Sequence, residues 1–351
     1  MLVFIICLLP IALFGLKISK KNEFYPDYIS KKQTAAINGI FTLLIFFSHV
    51  STYIDLSGKF DTPYTILKEY LGQLVVVSFL FYSGFGIMES IQKKGLEYVK
   101  RIPTNRLFRV LYHLDLAVLL FIIVNLILQN QLTPSKTLLA FIGWTSIGNS
   151  NWYIFVVLAL YLVVFISFMV ARGNKYTGTV ITSILTVVLI ILLKKAGKDS
   201  WWYNTALVYP AGIIFSLIKD IFDKIAAKKD VIWLGCTLGI FVLYNVFEHF
   251  KKSGLIFYEL WAILFAMLIV VFTMKFKIGN KILDWIGSHV FSIYMLQRIP
   301  MMIFENIGLA QNHKYIFVIA CLAVTLGLSA GFDMITTKLD KLIYERKTKN
   351  C

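Results

Sequence analysis

An all-α, polytopic membrane bundle of about eleven transmembrane helices is the fold class this sequence predicts, and three observations predict it. First, 58% of the 351 residues are hydrophobic and only 15% are charged, whereas a soluble domain carries roughly a quarter of its residues as Asp, Glu, Lys and Arg. Second, the apolar residues gather in eleven runs, most of them near the about 20 residues a helix needs to cross the bilayer core. Third, 35 Lys and Arg against 19 Asp and Glu give a net charge of +16, and these cations sit in short clusters between the apolar runs. That pattern reads as topology signals and a face for an anionic ligand, not as a nucleic-acid patch.

The first run, residues 2–16, has no basic residue before it and no small-residue cleavage site after it, so it is kept as a span rather than removed as a signal peptide. A basic linker through residue 33 leads to the second span, 34–54, which carries a histidine. The third, 71–91, contains Ser83-Gly84-Phe85-Gly86, and the fourth, 107–128, opens within a run of six cations from Lys93 to Arg109. Residues 133–151 hold only a short apolar piece, 138–144, too brief to span and read as re-entrant or interfacial on the non-cytoplasmic side. The fifth span, 152–171, opens on Trp152-Tyr153, and the seventh, 202–217, on Trp201-Trp202-Tyr203, aromatic residues of the kind that sit at membrane interfaces. Between them lies the sixth, 177–193. The last four cover 231–247, 255–274, 286–304 and 315–337. No segment between spans exceeds about thirty residues, too short for a soluble domain. The chain thus divides into an N-terminal helix with its basic linker (1–33), a transmembrane domain (34–339) and a basic tail (340–351).

Alternate loops carry 25 and ten of the Lys and Arg residues, and the richer set is assigned to the cytoplasm. The N-terminus then lies outside and the C-terminus inside a plasma membrane, although Lys194, Lys195 and Lys198 run against the split. Four separated cysteines, Cys7, Cys236, Cys321 and Cys351, argue for neither a disulfide framework nor a zinc site, and no metal is expected.

Ionisable groups inside spans cost a few kcal/mol on insertion scales and are functional candidates when they face the bundle interior. His49 is the sharpest, with no other titratable group before Asp55. A neutral imidazole there could act as a general base, or be a packing histidine bonded to a helix carbonyl. His113 and Asp115 are two apart on a helix and do not face each other. Glu259 and Asp333 could each orient a histidine or serve as interhelical hydrogen-bond partners, and His289 reads as a satisfied interior histidine. Arg106 and Arg109 are three apart on an opening helical turn, so they share a face that could hold phosphate, with plain positive-inside anchoring as the alternative. Ser83 and Gly84 read as small residues for close helix approach or a channel. Gln297 and Arg298 put an amide and a cation in the outward half of the tenth span.

Five segments occur in a fixed order: Asn38 to His49, Phe81-Tyr82-Ser83-Gly84-Phe85-Gly86, Arg106-x-x-Arg109, Asn149-Ser150-Asn151-Trp152-Tyr153, and Gly287 to Gln297. Together they resemble the membrane-bound acyltransferases of the acyltransferase-3 family, over residues 34–339 and ten spans, with the first helix as an addition. The resemblance implies an O-acyltransferase that takes the acyl group of cytoplasmic acyl-CoA, commonly acetyl-CoA, to a sugar hydroxyl of a surface polysaccharide or related glycan. It implies His49 as the catalytic histidine, Arg106 and Arg109 at the CoA side, and Ser83 and Gly84 along the acyl path. Trp152, Tyr153 and Tyr294, with Gln297 and Arg298, would shape the acceptor side. Asn38 stands where many relatives carry a basic residue, a role Lys31 or Lys32 could take, and Gln297 where many carry a second histidine. The lipid bilayer, acyl-CoA and a glycan are the expected partners, and a bacterial plasma membrane the expected setting. A transporter or flippase of a glycan or lipid-linked intermediate is the alternative; the two-half repeat that would favour it is not evident.

Overall fold

The computed structural model describes residues 1–348, with side-chain surroundings through Ile343; the last residues of the expected tail, Cys351 among them, lie outside this range. The first half holds α1 (Leu2–Leu13), α2 (Lys31–Val50), α3 (Thr62–Leu71), α4 (Leu74–Lys100), α5 (Arg109–Ile127), α6 (Pro134–Ala140) and α7 (Trp152–Val170). The second holds α8 (Lys175–Lys195), α9 (Val208–Ala226), α10 (Asp230–Phe250), α11 (Leu255–Lys275), α12 (Lys281–Ser288), α13 (Val290–Leu296), α14 (Arg298–Asn306), α15 (Leu309–Asn312) and α16 (Lys314–Thr348). A π-helical turn, Pro103–Phe108, leads into α5, and the two-residue strands β1 (Lys17–Ile18) and β2 (Phe276–Lys277) pair antiparallel.

Among the described residues, eight helical stretches are long and apolar enough to cross a membrane: α2, α3 with α4, α5 with its π turn, α7, α8, α10, α11 and α16. The all-α membrane class therefore holds, while three expected spans differ in form. α1 has 12 residues, short of a full crossing, and contains Pro10. α9 has the length, but Lys219, Asp220, Asp223 and Lys224 make its second half polar. The expected tenth span is broken into α12, α13 and α14, and both breaks have local causes. At His289 the ring Nδ1 sits 2.8 Å from the Trp285 carbonyl oxygen, competing with the backbone for that acceptor. At Gln297 the backbone keeps helical angles and only a hydrogen bond is missing, because Pro300 has no N–H to return to the carbonyl four residues earlier. The short apolar piece of 133–151 forms α6 and a loop.

Glycines set the closest crossings. A Cβ at Gly84 of α4 would lie 2.1 Å from the Tyr209 carbonyl oxygen of α9, and one at Gly212 of α9 would lie 2.1 Å from the Phe81 carbonyl oxygen. α2 and α12 meet in the same way, Gly39 on Leu283 and Gly287 on Ala35. Such backbone contact replaces the hydrophobic drive that is missing between helices in lipid.

The basic linkers converge at one end of the bundle. β1 pairs with β2, Tyr28 Oη donates to Asp223 at 2.8 Å, and Lys275 Nζ is 2.6 Å from Asp230. At the other end Lys314 of α16 binds the carboxylate of Asp61, which is 2% exposed and also lies 2.6 Å from the Met1 amino group. Burial pushes the Asp61 carboxyl up, but hydrogen bonds and charge from these two ammonium groups outweigh it and hold the carboxyl below its usual range. Lys198, which ran against the loop count, donates to the Trp144 carbonyl and sits 3.7 and 4.1 Å from the Trp144 and Trp202 rings. Its place is set by this aromatic clasp.

Candidate active site

A cavity of about 970 Å³ runs into the bundle from the basic end. Lys31, Lys93, Arg106 and Lys219 line its mouth together with Asp27, Glu89 and Asp220. Glu89 is 3.6 Å from Lys93, and Lys219 is 2.5 Å from Asp223, so carboxylates already engage two of the four cations. Arg106 instead donates from Nε to the Tyr98 hydroxyl at 3.4 Å, a neutral partner that leaves its charge uncompensated by that bond. Deeper in, α4 contributes Tyr82, Ser83 and Gly86, with Ser83 Oγ 3.3 Å from the Tyr161 hydroxyl. Tyr153 and Ile154 of α7 and Tyr294 of α13 line the inner end.

His49 lies on the last turn of α2, next to that inner end rather than on its wall. Its ring is 6.0 Å, centroid to centroid, from Tyr294, which both lines the cavity and touches the histidine. Nδ1 is buried without a hydrogen-bond partner, while part of the side chain stays accessible. Gln297 lies beside the imidazole and the charge of Arg298 reaches it, with Lys68 of α3 also in reach. Gln297 is fully buried and donates to the Tyr294 carbonyl at 3.1 Å, leaving Oε1 unpartnered. Arg298 Nε donates to Ser150 Oγ at 3.2 Å, and Lys68 to Ser51 Oγ at 2.8 Å. Both cations on this side are thus held by neutral hydroxyls.

Three expectations about placement fail. Arg106 and Arg109 do not share a face: Arg106 lines the cavity, whereas Arg109 turns to α16 and pairs with Asp340 at 2.9 Å. Tyr112 and His113 contact the same carboxylate. The physical reason is the π turn at Pro103–Phe108, whose wider winding removes the three-residue stacking of an α-helix. Gly84 does not line the cavity either, because α9 covers it; Gly86, with nothing within 4 Å of a Cβ, does. Trp152 is off the wall and packs edge-on against Tyr153, ring centroids 5.8 Å apart.

The carboxylates are engaged away from His49. Glu259 accepts the Leu207 backbone N–H at 3.1 and 3.2 Å, and Asp333 accepts from Ser292 at 2.8 Å and lies 3.7 Å from His289. Tyr161, Glu89 and Lys219 join the cavity without any motif in the sequence to mark them; a polar hydroxyl midway along the apolar run of α7 was the only sign of the first. Cys7, Cys236 and Cys321 are free thiols, and no group of three His, Cys, Asp or Glu among the described residues is arranged to hold a metal.

No curated protein and no solved structure matches the chain. The sequence model of the acyltransferase-3 family, described as an acyltransferase domain, matches residues 36–334, nearly the whole stretch over which the five segments carried the resemblance. The chain belongs to the acyltransferase-3 family and is a membrane acyltransferase.

Proposed function

We propose that this acyltransferase carries an acyl group, acetyl in the first place, from acyl-CoA at the basic end to a hydroxyl of a cell-surface glycan or glycan precursor at the opposite end. The observation that carries the reading is the continuity of one cavity, from the cations at its mouth to Tyr294 in contact with His49. Arg106 and Lys31 are suited to the CoA phosphates, which guanidinium and ammonium groups bind through charge-assisted hydrogen bonds. The pantetheine arm would lie along Ser83 and Gly86, bringing the thioester to the tyrosines. His49 removes the proton of the acceptor hydroxyl as general base. Gln297 and Arg298 orient the acceptor, and Tyr153, on the cavity wall with Trp152 packed behind it, offers aromatic surface to a sugar. With the basic linkers in the cytoplasm, the N-terminus is outside and the C-terminus inside the plasma membrane. An acyl group then crosses the bundle without acetyl-CoA leaving the cytoplasm.

The test is label transfer in sealed membrane vesicles. Inverted vesicles, which present the cytoplasmic face, should move labelled acetyl from added acetyl-CoA into the glycan fraction, and His49→Ala vesicles should not. Equal transfer by right-side-out vesicles would contradict the sidedness, and no transfer by either kind would contradict the donor.

A further inference from the structure

The transfer reaction places negative charge on the thioester carbonyl oxygen, and α7 begins at the cavity, which its Tyr153 and Ile154 line. Asn149, Ser150 and Asn151, which precede it, are all buried, so this helix starts inside the protein. The first N–H groups of a helix have no intrahelical acceptor and favour an anion. Here they also lack a side-chain cap, and the Asn151 Nδ2 donates to the Gly143 carbonyl at 2.9 Å.

A second, independent group converges on the same point. Tyr294 is 5% exposed, and its hydroxyl makes no hydrogen bond of good geometry. Oη nevertheless lies against the Tyr153 backbone N–H, and the charge of Arg298 reaches it. Tyr153 and Tyr294, rings 5.6 Å apart, both line the inner end of the cavity. An N–H directed at Oη leaves the phenolic proton to be donated onward.

We infer that Tyr294 Oη, backed by the first N–H groups of α7, is the oxyanion hole of this acyltransferase. The assignment rests on the acyl-CoA reading above. His49 takes the proton of the acceptor hydroxyl while its oxygen bonds to the thioester carbon, and the C=O π pair moves onto the carbonyl oxygen. Tyr294 donates its hydrogen bond to that oxyanion. Collapse restores C=O and breaks the C–S bond; the thiolate recovers the proton from the His49 imidazolium, leaving ester, CoA thiol and neutral histidine.

Tyr294→Phe removes only the hydroxyl. It should lower kcat by about 10²–10³-fold, the range found for loss of one oxyanion donor, with KM for acyl-CoA changed by less than about threefold. A structural role is separated by the infrared carbonyl stretch of a bound ketone analogue of acetyl-CoA, with a methylene in place of sulfur and an isotope-labelled carbonyl. In the wild type the band should fall below its solution frequency, and in Tyr294→Phe it should return towards it. Unchanged kcat in the variant, or an unshifted band for analogue bound to the wild type, overturns the assignment and leaves the donor reading intact. Failure of the wild type to bind the analogue overturns both. An unshifted wild-type band overturns the assignment even if the variant does not fold.

Discussion

At His49 one imidazole has a buried, bare Nδ1 and no carboxylate beside it; the base role proposed for it would rest on the neutral amide of Gln297, since the charges of Arg298 and Lys68 oppose an imidazolium. His49→Ala should cut transfer by about 10²–10⁴-fold, the usual contribution of a general base, while acyl-CoA binding measured by calorimetry stays near wild type. Loss of binding along with turnover would mean that the residue holds the donor. The two arginines should separate. Arg106→Ala removes a cation from the cavity mouth and should raise KM for acyl-CoA several-fold. Arg109→Ala removes a 44% exposed partner of Asp340, an ion pair worth about 0–1 kcal/mol, and should leave KM nearly unchanged. The sequence singled out both arginines, but their division of labour depends on a π turn that three-residue spacing does not reveal.

Among the elements, α4 shows how a short motif mixes two tasks. In Ser83-Gly84-Phe85-Gly86 the serine and the second glycine face the cavity, while the first glycine admits the backbone of α9. Gly84→Ala should destabilise the bundle by about 1–3 kcal/mol, as overpacking does, and Gly86→Ala, whose methyl meets nothing within 4 Å, should leave the unfolding temperature nearly unchanged. Equal losses in thermal unfolding would argue against the packing described for α4 and α9. Most helices were legible because each hydrophobic run declares itself, residues 152–171 becoming α7 and 255–274 becoming α11 almost without adjustment. The interruptions at His289 and Gln297 were not read from the sequence, although Ser288-His289 and Gln297-Arg298 are polar and Pro300 follows, because hydropathy averaged over the whole span does not register a ring nitrogen sharing a backbone acceptor or a missing proline N–H.

Over the whole molecule, the two ends are fastened by charge across elements far apart in sequence. Asp61 and Lys314 join the segment before α3 to the start of α16. A carboxyl whose folded pKa lies below its unfolded value of about 3.9 lends stability that is fully present above that value and disappears as pH falls through the folded one. Wild-type protein should therefore keep this contribution from neutrality to about pH 5 and lose it at lower pH, whereas Asp61→Asn should start less stable and lose less on acidification. Parallel pH curves for the two would exclude Asp61 as a source of acid lability. The cavity itself was out of reach of sequence reasoning: its wall combines residues of α2, α4, α5, α7, α9, α12 and α13, and a lone Tyr161 or Lys219 carries no signal before those helices are packed.

The central claim, that the basic mouth and its cavity hold acyl-CoA, is tested most directly by thermal unfolding of the detergent-purified protein with acetyl-CoA, CoA or ATP. A ligand bound only by the folded state must raise its stability, by about 2.7 kcal/mol at a hundred times its Kd. Acetyl-CoA should give a saturable rise in Tm that survives in His49→Ala and Arg109→Ala and weakens in Arg106→Ala. Folded wild-type protein whose Tm does not move at millimolar acetyl-CoA would contradict the account.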